Sequence, residues 1–300
     1  MSSQQDKKDK DFSISPLGGQ GVITIVGVGL ISGSFAIALK EKGFAKHVIG
    51  VSRTEASAKK ALELGIIDEA LPLEEAVKKS DFIYVAIPVD ATIPVMQQIM
   101  DLITDQQIVA DAGSTKYVLC EALKDHPMRK RFVATHPMWG TEYSGPEAAV
   151  RDAFIGRACV ICEKEKTDAA AVATVENIYR ELGMNLIYMD AESHDRHAAY
   201  VSHISHITSF ALANTVLEKE KEEDAIFELA GGGFESTVRL AKSSPAMWAP
   251  IFMQNRENVL DVLNEHIAQL RKFKACLEKE NYEYLNELMN NANKIKRILK

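Results

Sequence analysis

Polar and turn-forming residues stand directly after several short apolar runs of the chain. The runs and the residues that follow them are HVIGV before Ser52 and Arg53, YVAI before Pro88, QIVA before residues 111–114, and RFVAT before His136. If the runs are parallel strands, these residues lie beyond the carboxyl ends of the strands, where open α/β sheets bind their ligands. We therefore expect them to face a single crevice, which is the predicted active site.

A second set of polar residues falls on one side of a helix predicted from about residue 191. At 100° per residue, five positions share a narrow stripe: Asp195, Ala199, Ser202, His206 and Ser209. A polar stripe on an otherwise apolar helix must meet water, a partner or a ligand. Because two histidines and two serines lie near one another here, we interpret this side of the helix as a second wall of the crevice.

A metal site is the competing interpretation of these residue types. Four histidines lie close together on this helix, and Cys159-Val-Ile-Cys162 is formally a C-x-x-C pair. On an ideal helix, however, His194 and His197 point about 60° or more away from the stripe. The two cysteines lie in a predicted strand, where residues i and i+3 face opposite sides, and no second pair accompanies them. We predict no metal.

A glycine loop follows the first apolar run directly and opens a helix. In Gly27-Val-Gly29-Leu30-Ile31-Ser32, Gly27 permits the tight turn and Gly29 lets the backbone approach a pyrophosphate at the helix N-terminus. Ser32 occupies the third glycine position, where a small residue still lets helix and strand pack. The sequence therefore predicts a dinucleotide site, with cofactor contacts from Gly27, Gly29, Leu30, Ile31, Ser52, Arg53 and Pro88.

The end of the second predicted strand indicates which dinucleotide is preferred. NAD enzymes usually place a carboxylate there for the ribose 2′-hydroxyl, whereas this strand is followed by Ser52 and Arg53. A hydroxyl and a guanidinium can both bind a 2′-phosphate. We expect an NAD(P)+ site with a preference for NADP+; the alternative is that Arg53 is only a solvated surface charge.

Alternating strand and helix patterns over residues 21–190 predict a doubly wound, Rossmann-type parallel sheet of the α/β class. From about residue 191 no strand pattern returns, and Ser193 is a plausible N-cap for the first long helix. We predict a polar tail at 1–20, a dinucleotide-binding domain at 21–190 and an all-α domain at 191–300.

Composition bounds the partners and the compartment. The chain has 300 residues, 46% of them apolar, and a formal net charge of −7, which argues against nucleic acid. Residues 1–20 hold no apolar run typical of a signal peptide, and no stretch approaches the roughly 20 apolar residues of a membrane span. Four cysteines are few for a disulfide framework. We expect a cytosolic protein without a membrane partner.

Five segments together resemble the prephenate dehydrogenase and arogenate dehydrogenase family. They are GVGLISGS, DAGSTK, HPMWGTEYSG, SHDRHAAYVSHISH and GGGFESTVRLAKSSPAMW, in the family's order across most of residues 21–260. The resemblance implies NAD(P)+-dependent oxidation and decarboxylation of prephenate to 4-hydroxyphenylpyruvate in tyrosine biosynthesis, or of arogenate directly to tyrosine. A homodimer through the helical domain is expected by analogy, and no fused mutase domain is expected after residue 300. Inhibition by tyrosine stays open.

The resemblance also implies roles for single residues. His136 corresponds to the catalytic histidine, and Ser114 to a serine that hydrogen-bonds this histidine and the substrate hydroxyl. Ser202 and His206 are expected to line the substrate and nicotinamide pocket. The residues expected at the substrate are Arg239, which would pair with a carboxylate, Glu142 and Trp248. Since an unperturbed imidazole titrates near about 6.5, activity should fall as the pH drops through the pKa of His136.

One departure and two alternatives complete the sequence evidence. Relatives commonly carry an aspartate three residues before the arginine, where this chain has Ser236, next to Glu235. A β-hydroxyacid dehydrogenase would need a lysine on the first long helix of the second domain, and none occurs between Ala198 and Leu217. A non-catalytic NAD(P)-sensing regulator would explain the glycine loop but not the set of polar residues around His136.

Overall fold

The computed structural model describes residues 20–221 and 226–298 of the chain. Apart from Gln20, the predicted tail at 1–20 lies outside the described residues. The strands are β1 (Val22–Val26), β2 (His47–Val51), β3 (Glu69–Ala70), β4 (Phe82–Val85), β5 (Ile108–Asp111), β6 (Phe132–Pro137), β7 (Ala158–Cys162) and β8 (Asn185–Met189). The α-helices of the described residues are α1 (Leu30–Glu41), α2 (Glu55–Glu63), α3 (Leu73–Lys79), α4 (Val89–Leu102), α5 (Tyr117–Leu123), α6 (Ala169–Glu181), α7 (Ala191–Ala198), α8 (Ile204–Glu220), α9 (Gly232–Val238), α10 (Pro245–Gln254), α11 (Arg256–Glu278) and α12 (Tyr282–Ala292).

The strands join one sheet in the order β3-β2-β1-β4-β5-β6-β7-β8. The pairs from β3 through β6 are all parallel, and helices cover both faces, so the predicted doubly wound sheet is confirmed. The chain reverses its direction of winding between β1 and β4. Ligands of such sheets bind at this reversal, beyond the carboxyl ends of the strands.

The expectation of uniformly parallel pairing is wrong for β7, which is antiparallel to β6. A parallel pair needs a crossover connection, usually a helix. Residues 138–157 between the two strands hold only a short 3-10 turn, Pro146–Ala148. The chain then passes through α6 to β8, which is parallel to β7, so the last two strands run opposite to the other six.

Two apolar clusters fill the space between the sheet and its helices. On one face Phe35 of α1 stacks on Tyr84 of β4, with ring centroids 4.0 Å apart. On the other face Met96 of α4 packs against the β-branched residues of the central strands. Cys159 belongs to the first cluster and Cys162 to the second, which confirms that the C-x-x-C pair points to opposite sides of a strand.

The helical region begins with a cap that differs from the predicted one. Ser193 is not the N-cap; Asp190 is, and its carboxylate accepts hydrogen bonds from the Ser193 amide and hydroxyl, each at 2.7 Å. A carboxylate at this position also interacts favourably with the positive end of the helix dipole. Asp190 is the single residue between β8 and α7, so the capped helix begins directly after the sheet.

The predicted single helix from residue 191 is interrupted. Residues Ala199–His203 form a π-helical turn between α7 and α8. A π turn takes one extra residue and therefore changes the direction in which all later side chains point. The polar stripe predicted for an ideal helix is therefore broken at this turn.

The helices after α7 bury little of their surface. α8 fully buries only Ser209, and α12 buries no side chain completely. One small apolar cluster, Val89, Trp248 and Ile251, joins α10 to the sheet domain through α4. Within the described residues, no helix has the length and apolar character needed to cross a membrane.

Candidate active site

The glycine loop between β1 and α1 makes the turn that its sequence predicts. Gly27 has a φ of +88°, and its amide donates to the Val51 carbonyl at 2.8 Å. A Cβ at this position would lie 2.5 Å from the carbonyl oxygen of Ala86. Any side chain at residue 27 would therefore be strained in its backbone and would also push against β4.

Gly29 is the N-cap of α1, and the space around it is open, with no atom within 4 Å of an added Cβ. Ser32 closes the loop: its Oγ accepts from the Gly29 amide at 3.1 Å and donates to the Gly27 carbonyl. Ser32 is fully buried, and α1 also packs closely at Gly33, where a Cβ would lie 2.8 Å from Cβ of Ala149. An exposed helix N-terminus without a side chain above it suits a dinucleotide pyrophosphate.

The other predicted cofactor residues lie around this loop. Leu30 is buried and Ile31 partly buried in the first turn of α1. Ser52 and Arg53 follow β2, and the Ser52 hydroxyl donates to the Thr54 carbonyl at 3.0 Å. The Arg53 side chain is exposed and has no hydrogen bond or ion pair within the described residues. Pro88 is the exposed N-cap of α4.

The imidazole of His136 lies inside the protein, not beyond the end of its strand as expected. His136 is the fifth residue of β6 and is only 8% exposed. Its Nδ1 is 2.8 Å from Nε2 of His194, and its Nε2 has no hydrogen bond within the described residues. Burial, together with the nearby His194, Lys116 and His203, holds the pKa of His136 well below its usual range. The side chain is therefore neutral at neutral pH.

On the side away from His136, His194 contacts the carboxylate of Asp195. His194 Nδ1 is 2.8 Å from Oδ1 of Asp195, whose carboxylate accepts from the amides of Lys116 at 2.7 Å and of Tyr117 at 3.0 Å. These amides stand at the start of α5, so the carboxylate caps that helix from α7. Sequence geometry placed His194 off the Ser202–His206 stripe and gave it no role at the site, so its contact with His136 was missed. The signal that could have found it is the His-Asp pair within the segment SHDRHAAYVSHISH.

Ser114 lies half-buried on the loop between β5 and α5. Its hydroxyl has no hydrogen bond within the part of the chain that the structure describes, and His136 is bonded to His194 instead. The expected bond from Ser114 to His136 stays a prediction. On the same loop the buried Lys116 ammonium forms an ion pair with Asp111, which ties the loop to the end of β5.

After the π turn, the predicted site residue His206 contacts α10. His206 stacks on Trp248, with ring centroids 3.4 Å apart and planes inclined by 25°. Its Nδ1 donates to the Ser202 carbonyl at 3.1 Å, so its Nε2 carries the lone pair. Burial lowers the pKa of His206, and Arg239 nearby lowers it further. His203, one turn away, is 6.0 Å from the Trp248 ring, and burial lowers its pKa to about 4.

Arg239 and Glu142, both predicted at the substrate, form an ion pair of 3.0 Å between Nη1 and Oε2. The two residues come from distant parts of the chain, the 3-10 turn Arg239–Lys242 and the segment between β6 and β7. Glu142's own backbone amide and Arg239 lower the pKa of the carboxyl. At the position where the family pattern is broken, Ser236 donates to the Gly233 carbonyl at 2.9 Å.

Comparisons with known proteins agree with these observations. The nucleotide-binding domain of prephenate dehydrogenase matches residues 35–188, and its dimerization domain matches residues 190–291. Prephenate dehydrogenase of Bacillus subtilis is 32% identical over 266 residues, which are 88% of this chain and 72% of that protein. Cyclohexadienyl dehydrogenase of Zymomonas mobilis is 29% identical over 280 residues, covering 93% and 96%.

A solved structure extends the similarity to three dimensions. The crystal structure of prephenate dehydrogenase from A. aeolicus in complex with hydroxyphenyl propionate and NAD+ superposes with a TM-score of 0.86 at 33% identity, covering 96% of this chain and 99% of that one. Both domain matches, the full-length relatives and the shared fold lead to one conclusion: this chain is an oxidoreductase of the prephenate dehydrogenase family.

Proposed function

We propose that the protein oxidises and decarboxylates prephenate to 4-hydroxyphenylpyruvate, with His136 as the proton acceptor. The observation that carries this proposal is the buried, neutral imidazole of His136, held at Nδ1 and free at Nε2. A general base must be unprotonated before it can accept the proton of a substrate hydroxyl. Ser202, His206 and Trp248 supply the polar and aromatic wall of the substrate pocket.

For this reaction the protein must mainly align the substrate with the cofactor and provide one base. Prephenate carries a 4-hydroxyl, a ring carboxylate and a pyruvyl carboxylate. His136 Nε2 accepts the hydroxyl proton while carbon dioxide leaves and the ring becomes aromatic, which makes the step downhill. When bound, the nicotinamide supplies the acceptor for the hydride from C4. The groups that would hold the cofactor are the glycine loop, Ser52, Arg53 and Pro88.

Arg239 is proposed to bind a carboxylate of the substrate. Its side chain is half exposed, so a carboxylate can reach the guanidinium without breaking into the protein core. A guanidinium can hold two carboxylates on separate edges, because it presents five N–H donors. Glu142 therefore orients Arg239 while the remaining donors stay available.

The proposed cofactor preference is NADP+ over NAD+. It is supported by the Arg53 guanidinium, which has no ion pair within residues 20–221 and 226–298, and by the absence of a carboxylate at residues 52 and 53, directly after β2. Arg53→Ala should lower kcat/KM for NADP+ about tenfold, the size of one charge-assisted hydrogen bond, and leave kcat/KM for NAD+ unchanged. Tighter use of NAD+ by the wild type would refute the preference.

The function is tested by a two-by-two assay of prephenate and arogenate with NAD+ and NADP+, following NAD(P)H absorbance. Turnover of prephenate supports the proposal. Turnover of arogenate alone would make the protein an arogenate dehydrogenase, in which Arg239 and His136 keep their roles. Binding of the cofactor without turnover of either substrate would refute catalysis and favour a sensing regulator.

We also propose a homodimer through the helical domain. Long apolar side chains are exposed on helices α8 and α11, with Leu217 50%, Leu270 56% and Leu277 67% exposed. Apolar surface of this kind is stabilised by a partner, and the matching family domain is a dimerization domain. Light scattering that gave the mass of one chain would refute the dimer. A cytosolic location is proposed on the sequence argument of few cysteines.

A further inference from the structure

Three buried side chains form a continuous line of hydrogen bonds that ends at the proposed base. They are Asp195 at 2%, His194 at 2% and His136 at 8% exposure. The two links are 2.8 Å each, from Asp195 Oδ1 to His194 Nδ1 and from His194 Nε2 to His136 Nδ1. Nothing in the proposed proton transfer itself requires His194 or Asp195.

The chemistry of the three groups fixes the direction of every bond. An ionised carboxylate can only accept, and Asp195 already accepts from two backbone amides at the start of α5. His194 must therefore carry its hydrogen on Nδ1, which leaves the lone pair on Nε2. His136 must then carry its hydrogen on Nδ1, and its own lone pair is on Nε2. When both imidazoles are neutral, each has only one N–H, and no other arrangement satisfies both links.

We propose that His194 and Asp195 are positioning residues that set the tautomer of His136 and spread the charge that His136 gains. This inference rests on the proposed function, in which His136 Nε2 accepts the substrate proton. Without His194, the proton of neutral His136 could sit on Nε2, the nitrogen that has to be free. The pair therefore converts a histidine with two possible tautomers into a base with one.

The same line balances the charge when the substrate proton arrives. The O–H bond of the substrate breaks and an N–H bond forms at His136 Nε2, which makes His136 a cation. Its Nδ1 proton can move to His194 Nε2, leaving His136 neutral and His194 as an imidazolium beside the Asp195 carboxylate. A buried cation next to an anion costs far less than an isolated one.

Other charged groups around this line are already paired. Lys116, which disfavours a charge on His136, is bound to Asp111. His203 accepts a hydrogen bond from Asn255 Nδ2 at 3.1 Å, and the same Nδ2 donates to the Asp195 carbonyl at 2.7 Å. Asp195 is thus the anion of the line, and it lies at the end away from Nε2 of His136.

The first test is the tautomer itself, measured without any substrate. In protein labelled with 15N-histidine, nitrogen shifts and low-field imidazole N–H signals should show His136 with hydrogen on Nδ1. His136 with hydrogen on Nε2 in the wild type would overturn the proposal. This readout stays valid if neither prephenate nor arogenate is turned over, so it separates a failure here from a failure of the proposed function.

The second test compares two substitutions of His194. Gln keeps an acceptor oxygen for His136 Nδ1, whereas Phe removes it. We expect His194→Phe to lower kcat about 100-fold or more, as wrong-tautomer variants of other catalytic histidines do, with KM changed less than about threefold. His194→Gln should retain at least about tenfold more kcat than Phe. Equal kcat in the two variants, or near-wild-type kcat in Phe, would overturn the proposal. If Phe does not fold, a folded Gln variant with kcat about 100-fold below the wild type would also overturn it, because Gln keeps the acceptor for His136 Nδ1.

The third test removes the charge and keeps the shape. Asp195→Asn no longer favours an imidazolium, so the acid limb of the kcat profile should move to lower pH while the plateau falls. A purely structural role would lower activity without moving this limb. Asp101→Asn is the matched control, because Asp101 forms a 3.1 Å contact with His126 on the surface, with 75% of its side chain exposed. It should change neither the limb nor the His136 signals, and an equal shift in both variants would count against the proposal.

Discussion

The candidate site contains two charged or polar contacts of similar length and opposite surroundings. The His136–His194 contact, 2.8 Å long, lies in the interior between β6 and α7. The Arg239–Glu142 pair, 3.0 Å long, lies at the surface, with the two side chains 50% and 15% exposed. Water and ions compete for the second pair and cannot reach the first.

This difference matches what each contact is proposed to do. A base must hold one orientation and one tautomer before the substrate arrives, and burial with a hydrogen bond at Nδ1 provides that. A carboxylate-binding arginine must accept a new partner at every turnover, and partial exposure permits the exchange. Breaking the buried contact should therefore change kcat, whereas breaking the exposed one should change KM.

The largest expected effect is at the buried contact. His136→Asn keeps a donor toward His194 but provides no imidazole lone pair at the reacting position. We expect kcat to fall by about 10²- to 10⁴-fold, the usual contribution of a general base, with little change in KM. Steady-state kinetics measures both. His126→Asn, at an exposed Asp–His pair, is the control, and near-normal kcat in His136→Asn would remove this residue from the mechanism.

Arg239→Ala should act mainly on substrate affinity. Loss of a charge-assisted hydrogen bond costs about 1.5–3 kcal/mol, so KM for prephenate should rise about ten- to hundredfold while kcat changes little. The thermal midpoint should stay the same, because exposed ion pairs add little stability. Arg151→Ala removes another exposed Arg–Glu pair, with Glu41, and should leave KM unchanged. A loss confined to kcat would contradict the distinction between the two contacts.

Salt should separate the contacts without any substitution. We expect KM for prephenate to rise about two- to fivefold between roughly 0.05 and 0.5 M KCl, because ions screen the exposed guanidinium. The value of kcat should stay nearly constant, since His136 and Asp195 are buried. Initial rates at fixed pH measure both constants, and a salt effect on kcat alone would show that the buried contact is open to solvent.

The smallest expected effect is that of mild acid. Burial keeps the pKa of His136 well below 6.5, so the imidazole stays neutral, and active as a base, while the pH falls through that value. We expect kcat to change less than about twofold between pH ~7.5 and ~6. An unperturbed histidine would leave only about a quarter of the activity at pH ~6. The expectation from the sequence, that activity falls as the pH drops through the pKa of His136, stays a prediction, and burial moves this fall to lower pH.

Local patterns predicted the sheet and the glycine loop well. β-branched runs and glycines mark β1, β2 and the turn at Gly27, where both the positive φ and the nearby Ala86 carbonyl require glycine. The short elements β3, α3 and α5 were not predicted, because two to seven residues show too little hydrophobic periodicity. The direction of β7 was not predicted either, since it depends on a long connection that has no helix or strand pattern of its own.

The candidate site was predicted in its residue types more than in its geometry. Sequence reasoning named His136, His206 and Arg239, but the contact between His136 and His194 joins residues 58 positions apart and depends on how α7 packs against β6. It also treated α7 and α8 as one ideal helix, which hid the turn at 199–203. The spacing of residues along the sequence predicts neither long-range packing nor a local change of helical pitch.

That turn also determines which changes in sequence this enzyme can accept. If Ala199–His203 were regular helix at its present length, every later side chain would point about 100° further around the axis. The His206 ring would then leave the face of Trp248 while His194 stayed against His136. A homologous protein that lacks one residue in this stretch should therefore have regular helix here and keep the contact between the His206 and Trp248 rings.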